Sequence, residues 1–135
     1  MSPPRARRRP TANQQAVVEI LQGSSHFRSA QELYVELHTQ RLARVGLITV
    51  YRILQSLTAQ NITEAQRAED GETLYRLRTA TGHRHYLVCR RCGHAVGFTP
   101  TDFELDASQL ARKHRYTDVT HHIDLYGNCP DCTRE

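Results

Sequence analysis

Two Cys-x-x-Cys pairs, Cys89/Cys92 and Cys129/Cys132, account for all four cysteines of the chain and constrain its C-terminal half more than any other feature. Thiolates held two residues apart can chelate one ion, and two such pairs supply the four sulfurs of a tetrahedral Zn²⁺ site with no position left open for substrate. The N-terminus has arginines without the apolar stretch of a signal peptide, and no apolar run approaches the roughly 18 residues of a membrane span. The expected setting is therefore cytoplasmic and reducing, which favours metal over disulfides. A redox dithiol, or a switch that releases zinc on oxidation, is the competing reading of the same cysteines. A structural zinc suits residues 83–135, because a core built by so few residues is marginal without a staple.

The net charge of +4 is unevenly placed. Residues 1–82 hold 11 Arg against 7 acids, whereas residues 83–135 hold 7 Arg plus Lys against 7 acids, so all the excess lies in the first part. Arg5, Arg7, Arg8 and Arg9 form a proline-flanked basic arm, residues 1–10. Each phosphate neutralised by such an arm adds roughly 0.9 to the salt slope of duplex binding. Double-stranded DNA is the expected partner, and a merely solubilising arm is the bland alternative.

Residues 11–78 read as the domain behind that arm. Ala16, Val17, Ile20 and Leu21 recur at helical spacing behind a Thr11 cap, and Gly23, Ser24 and Ser25 end the helix. Ser29 and Glu32 form a capping box before Ala30, Leu33, Tyr34 and Leu37, which predicts a second helix to about Gln40. After a turn at Val45 and Gly46, the stretch Thr49 to Ala59 puts Val50, Ile53, Leu54 and Leu57 on one face and Tyr51, Arg52, Gln55 and Ser56 on the other. That is the pattern of a helix-turn-helix whose later helix enters the major groove. Asp70-Gly71 then predicts a hairpin between strand-like segments, which would complete a winged helix. Residues 79–82 read as a hinge.

In residues 83–135 the sequence predicts a strand, a Cys-x-x-Cys knuckle and a returning strand over Tyr86 to Phe98, with Gly93 in the tight turn. A helix follows from Thr101 or Asp102 to about His114, then a strand over Tyr116 to Tyr126. The fold class is α+β: a winged helix-turn-helix followed by a small α/β domain. His83 and His85, two apart on a strand, share a face. With Glu104 in the first helical turn and His121 on the last strand beside Val119, Ile123 and Leu125, they would make a second, tetrahedral Zn²⁺ or Fe²⁺ site if they converge. His26, His38, His94 and His114 read as ordinary surface or core residues.

These segments resemble the Fur family of metal-dependent repressors, especially its zinc-sensing branch. The resemblance is carried by Phe27 to Tyr34, by Gly46 to Leu57 with its Thr49-Val50-Tyr51-Arg52 core, by Leu87 to Gly93 and by Tyr126 to Cys132. It spans nearly the whole chain. It implies a homodimeric repressor that binds a palindromic operator when metal-loaded, with Tyr51 and Arg52 meeting base and phosphate; Thr49 and Gln55 of the same helix are expected to face DNA beside them. It also implies two Zn²⁺ per chain. Cys89, Cys92, Cys129 and Cys132 match the structural site, and His83, His85, Glu104 and His121 match a site within the dimerisation domain.

The chain departs from the family where members build a sensing site between the domains. The positions interleaved with His83 and His85 are Arg84 and Tyr86, which are poor ligands. Glu64 matches the acid on the wing, Phe27 stands where iron sensors often have histidine, and Gln14 replaces a common arginine. The sequence therefore expects the interdomain site to be absent, or rebuilt with Glu64 or His26, and sensing to rest on His83, His85, Glu104 and His121. An iron-dependent or peroxide-sensing repressor is the nearest alternative. Catalysis finds no support, since there is no His-Glu-x-x-His, no phosphate loop and no cysteine paired with a base.

Overall fold

In the computed structural model, which describes residues 11–79 and 85–134, the chain divides into two units, Met1–Thr79 and Ala80–Glu135. The arm bearing Arg5, Arg7, Arg8 and Arg9, the hinge beyond Thr79 and His83 lie outside the described residues.

Helix α1 (Ala12–Gln22) starts at Thr11, whose hydroxyl accepts the Gln14 N–H at 3.1 Å while the Gln14 amide oxygen accepts the Thr11 N–H at 3.0 Å. Two backbone donors that a helix start leaves open are thereby satisfied. Before α2 (Ala30–Thr39), the Ser29 hydroxyl accepts the Glu32 N–H and donates to the Glu32 carboxylate. Ser29 also belongs to a two-residue strand, β1 (Arg28–Ser29), too short to leave a periodic signal. Helix α3 (Leu47–Ala59) begins two residues before Thr49, because the extended Gly46 serves as its N-cap and Leu47 packs against the core. His38 Nε2 lies 2.8 Å from the Val45 carbonyl and pins the α2–α3 connection.

The hairpin pairs β2 (Thr63–Arg67) with β3 (Thr73–Leu77) antiparallel, and β1 joins β3 on its other edge. Gly71 takes φ +92° at the turn, a conformation few side chains tolerate. Val17, Leu21, Leu33, Leu37, Val50 and Leu54 form the centre of the core. Tyr75 and Arg76 are both buried, which breaks the expected alternation of β3. Arg76 faces Glu64 across the hairpin, and its Nε donates to the Glu64 carboxylate at 2.6 Å. Its guanidinium lies 4.4 Å from the centroid of the fully buried Phe27 ring and reaches the Ser25 carbonyl at 3.4 Å. Arg76 thus adds a side-chain tie to the β1–β3 pairing that joins the wing to the segment between α1 and α2.

The second unit is a three-stranded sheet, β5 (Ala95–Phe98), β4 (His85–Cys89) and β6 (Asp124–Gly127), with α4 (Thr101–Lys113) between β5 and β6 and a final turn of helix, α5 (Pro130–Thr133). Strand β4 runs antiparallel to β5 and parallel to β6. Gly93 has φ +79° in the knuckle after Cys92. The strand expected over Tyr116 to Tyr126 is corrected to Asp124–Gly127. Arg115 and Asp118 adopt positive φ, which breaks the extended run, and pairing with β4 begins only at Tyr86↔Asp124. His121 therefore sits in the loop before β6 rather than on the strand. Among the described residues the buried apolar side chains of this unit are Tyr86, Val88 and Cys89, and no residue of α4 is fully buried.

Removing one member of a desolvated ion pair strands the other charge. We predict that Arg76→Met lowers the unfolding free energy of the first unit by about 3 kcal/mol, and that adding Glu64→Gln restores part of it, as read from urea denaturation. Equal losses in the single and double variants would contradict the coupling.

Candidate metal centres and nucleic-acid face

Parallel pairing of β6 with β4 sets Gly127 opposite Cys89, so the second cysteine pair arrives beside the first. The Arg90 N–H donates to the Gly127 carbonyl at 2.8 Å and the Cys89 N–H to that of His94 at 2.7 Å, fixing the knuckle and the end of β6 together. The four Sγ atoms of Cys89, Cys92, Cys129 and Cys132 all lie within 4.8 Å of one another, and all four residues are thiols rather than disulfides. Cys92 Sγ and Cys129 Sγ are 3.6 Å apart. A tetrahedron with Zn–S bonds of about 2.3 Å has an edge of about 3.8 Å, so this spacing fits a zinc ion.

Backbone donors already point at the sulfurs. The Cys129 N–H reaches Cys89 Sγ at 3.3 Å and the His94 N–H reaches Cys92 Sγ at 3.4 Å. Burial pushes the Cys89 thiol up, but N–H groups of Cys129, Cys92 and Arg91 outweigh it and bring it down to about 5. Hydrogen bonding to Cys129 pushes Cys132 the other way, to about 12. A sulfur cluster that holds Cys89 as a thiolate while Cys92 and Cys132 are pushed up is the state a divalent cation would relieve.

A second set of donors meets between β4, α4 and the loop before β6. His85 Nε2 lies 3.2 Å and His121 Nε2 3.6 Å from Glu104 Oε1, and the two imidazoles stack with centroids 5.1 Å apart. Phe98 and Phe103 flank the two rings. His121 Nε2 is buried, yet finds no hydrogen-bond partner among the described residues. Two imidazole nitrogens and a carboxylate aimed at one point, one nitrogen otherwise unsatisfied, fit a small divalent cation. A cleft of about 580 Å³ opens beside them, lined also by Ser108, Arg112 and Tyr116. His83, expected as a fourth ligand, lies outside the described residues.

Among the described residues these two clusters are the groupings of metal-ligating side chains. Glu64 belongs to neither, because its carboxylate is engaged by Arg76. The sequence did not announce that arginine, because reflecting the chain about a two-residue Asp70-Gly71 turn would set residue 76 opposite 65, one position out of the observed register. On α3, Thr49, Arg52 and Gln55 are exposed and Tyr51 is half-buried against the core.

A model of the ferric uptake regulator family matches residues 6–126. The zinc uptake regulation protein of Mycobacterium tuberculosis is 40% identical over 124 residues, which covers 92% of this chain and 94% of that protein. The crystal structure of the Vibrio cholerae ferric uptake regulator is similar with a TM-score of 0.65 at 30% identity, covering 90% of this chain and 92% of that one. That of a zinc uptake regulator from M. tuberculosis is similar with a TM-score of 0.50 at 38% identity, over 89% and 92%. Together with the winged helix and the paired cysteine knuckles, these likenesses establish that the chain belongs to the ferric uptake regulator family.

Proposed function

We propose that the chain is a zinc-responsive, DNA-binding transcriptional regulator that controls zinc homeostasis genes and acts as a homodimer on a palindromic operator. The observation that carries the zinc response is the convergence of His85, Glu104 and His121, with His121 Nε2 buried and lacking a partner among the described residues. The relative of 40% identity that is named for zinc uptake supports the choice of metal over iron.

The two donor sets divide the work. Cys89, Cys92, Cys129 and Cys132 would hold a structural zinc, and His85, Glu104 and His121, with His83, a regulatory one. Bound zinc would supply charge and fixed geometry to both sets. His85 is the first residue of β4, Glu104 lies in the first turn of α4 and His121 lies in the loop before β6, so one ion would tie three elements that share little buried apolar surface. Shifting a two-state ensemble from 1:99 to 99:1 needs about 5.5 kcal/mol of differential binding, a load one such site can carry.

Dimerisation is supported by the sheet. Leu87 is in register with both Val96 and Leu125, and all three are exposed, so an apolar row crosses its face. Phe103 and Leu110 of α4 are exposed as well. A two-fold pair would bury these surfaces and present two recognition helices to two half-sites. Among the described residues no helix is long and apolar enough to cross a membrane.

Replacing His85 and His121 together by alanine should remove zinc-dependent operator binding and lower the zinc content from two ions per chain to one. Because His85 is buried, Glu104→Gln serves as the milder variant and should weaken the response in the same direction. An undiminished zinc response in both variants would refute the assignment. For the cysteine site, protons and zinc compete for the same sulfurs, so affinity falls as pH falls. Backbone N–H groups hold Cys89 as a thiolate down to about 5, whereas Cys92 and Cys132 are pushed up. Stripping this zinc by chelation at mildly acid pH should abolish the circular-dichroism signal of the second unit, and an unchanged melting temperature would rule out a structural role.

A further inference from the structure

The exposed face of α3 carries an apolar side chain that neither the core nor the metal chemistry explains. Ile48, in the first turn of the helix, is 69% exposed, the most exposed aliphatic side chain among the described large hydrophobics. Single exposed apolar residues are ordinary on a protein surface. This one is set apart by its neighbours. Helical spacing aligns Ile48 with Arg52 and Gln55 at i, i+4 and i+7, and both are exposed. Val50, Ile53, Leu54 and Leu57 occupy the opposite, buried face. The helix has no acidic residue along its whole length.

We infer that Ile48 is a base-reading residue that packs against the C5 methyl of a thymine in the major groove, and so sets sequence preference at one position of each half-site. The inference rests on the DNA-binding reading above. Recognition helices meet base edges through their N-terminal residues, where Ile48 stands. Thymine alone among the bases offers a methyl group there, and apolar side chains read it, as arginine reads guanine and glutamine reads adenine. Ile48, Arg52 and Gln55 thus present three different chemistries along one ridge. The β-branched side chain has few rotamers to lose, so it serves as a rigid probe.

The test uses zinc-loaded full-length protein and a duplex selected by the wild type from a random-sequence library. Each thymine in one half-site is replaced in turn by deoxyuridine, which removes the methyl and nothing else. The wild type should lose about four-fold in affinity at one thymine, the transfer value of one buried methyl group. Ile48→Ser should bind the parent duplex more weakly by at least that factor, show no response to deoxyuridine at that thymine, and keep the wild-type salt slope, since phosphate contacts are untouched. Ile48→Val should retain the response. If Ile48→Ser remains as sensitive as the wild type at every thymine, or if no thymine methyl matters to the wild type, the inference is overturned while DNA binding stands. A wild-type protein that selects no duplex at all in zinc overturns both.

Discussion

The second unit brings four sulfur atoms to one point. Among the described residues its buried apolar side chains are Tyr86, Val88 and Cys89, and no residue of α4 is fully buried. So small a core is marginal for a sheet, a helix and a ten-residue loop without a staple. The cysteines lie where closure is needed. Cys89 ends β4, Cys92 lies in the knuckle that follows, and Cys129 and Cys132 bracket the turn after β6. An ion shared by them would clamp the ends of the two parallel strands, a link that β4 and β6, distant in sequence, cannot gain from a local turn. The first unit needs no such device, because its three helices and wing enclose an apolar core of their own.

The two donor sets differ in kind. Four thiolates close a tetrahedron and leave nothing to adjust, which suits a fixed scaffold. Two imidazoles and one carboxylate, drawn from a strand, a helix and a loop, place a smaller and more readily reversed demand on the fold. In the first unit an internal cation meets the acid on the wing. Glu64, the acid on the wing, meets the Arg76 guanidinium, which in turn lies over Phe27.

How much of this was legible in the sequence depended on whether a local rule governed each element. The Thr11 and Ser29 caps, the Asp70-Gly71 turn and the apolar face of α3 follow from nearest neighbours along the chain and lie where the sequence placed them. The start of α3 was misplaced because Gly46 caps it through backbone conformation alone, which no side chain announces. The long strand over Tyr116 to Tyr126 failed because alternation is a property of side chains, while Arg115 and Asp118 turn the backbone. Spacing joined Cys89 to Cys92 but could not say that His85, Glu104 and His121 meet. That convergence depends on where α4 and the loop before β6 pack. Arg76 was missed for a related reason, since a charged residue on a strand reads as solvent-facing until its cross-strand partner is known.

The central claim is that zinc occupies two chemically distinct sites in one chain, one of sulfur and one of nitrogen and oxygen. X-ray absorption at the zinc edge, recorded as metal-free protein receives one and then two equivalents of zinc, tests it directly. The account predicts a first equivalent with an all-sulfur shell at about 2.3 Å, and a second that adds nitrogen and oxygen neighbours at about 2.0 to 2.1 Å. In the variant lacking His85 and His121 the second shell should be missing. A single mixed shell of sulfur and nitrogen from the first equivalent onward, or a second equivalent that binds without imidazole, would contradict it.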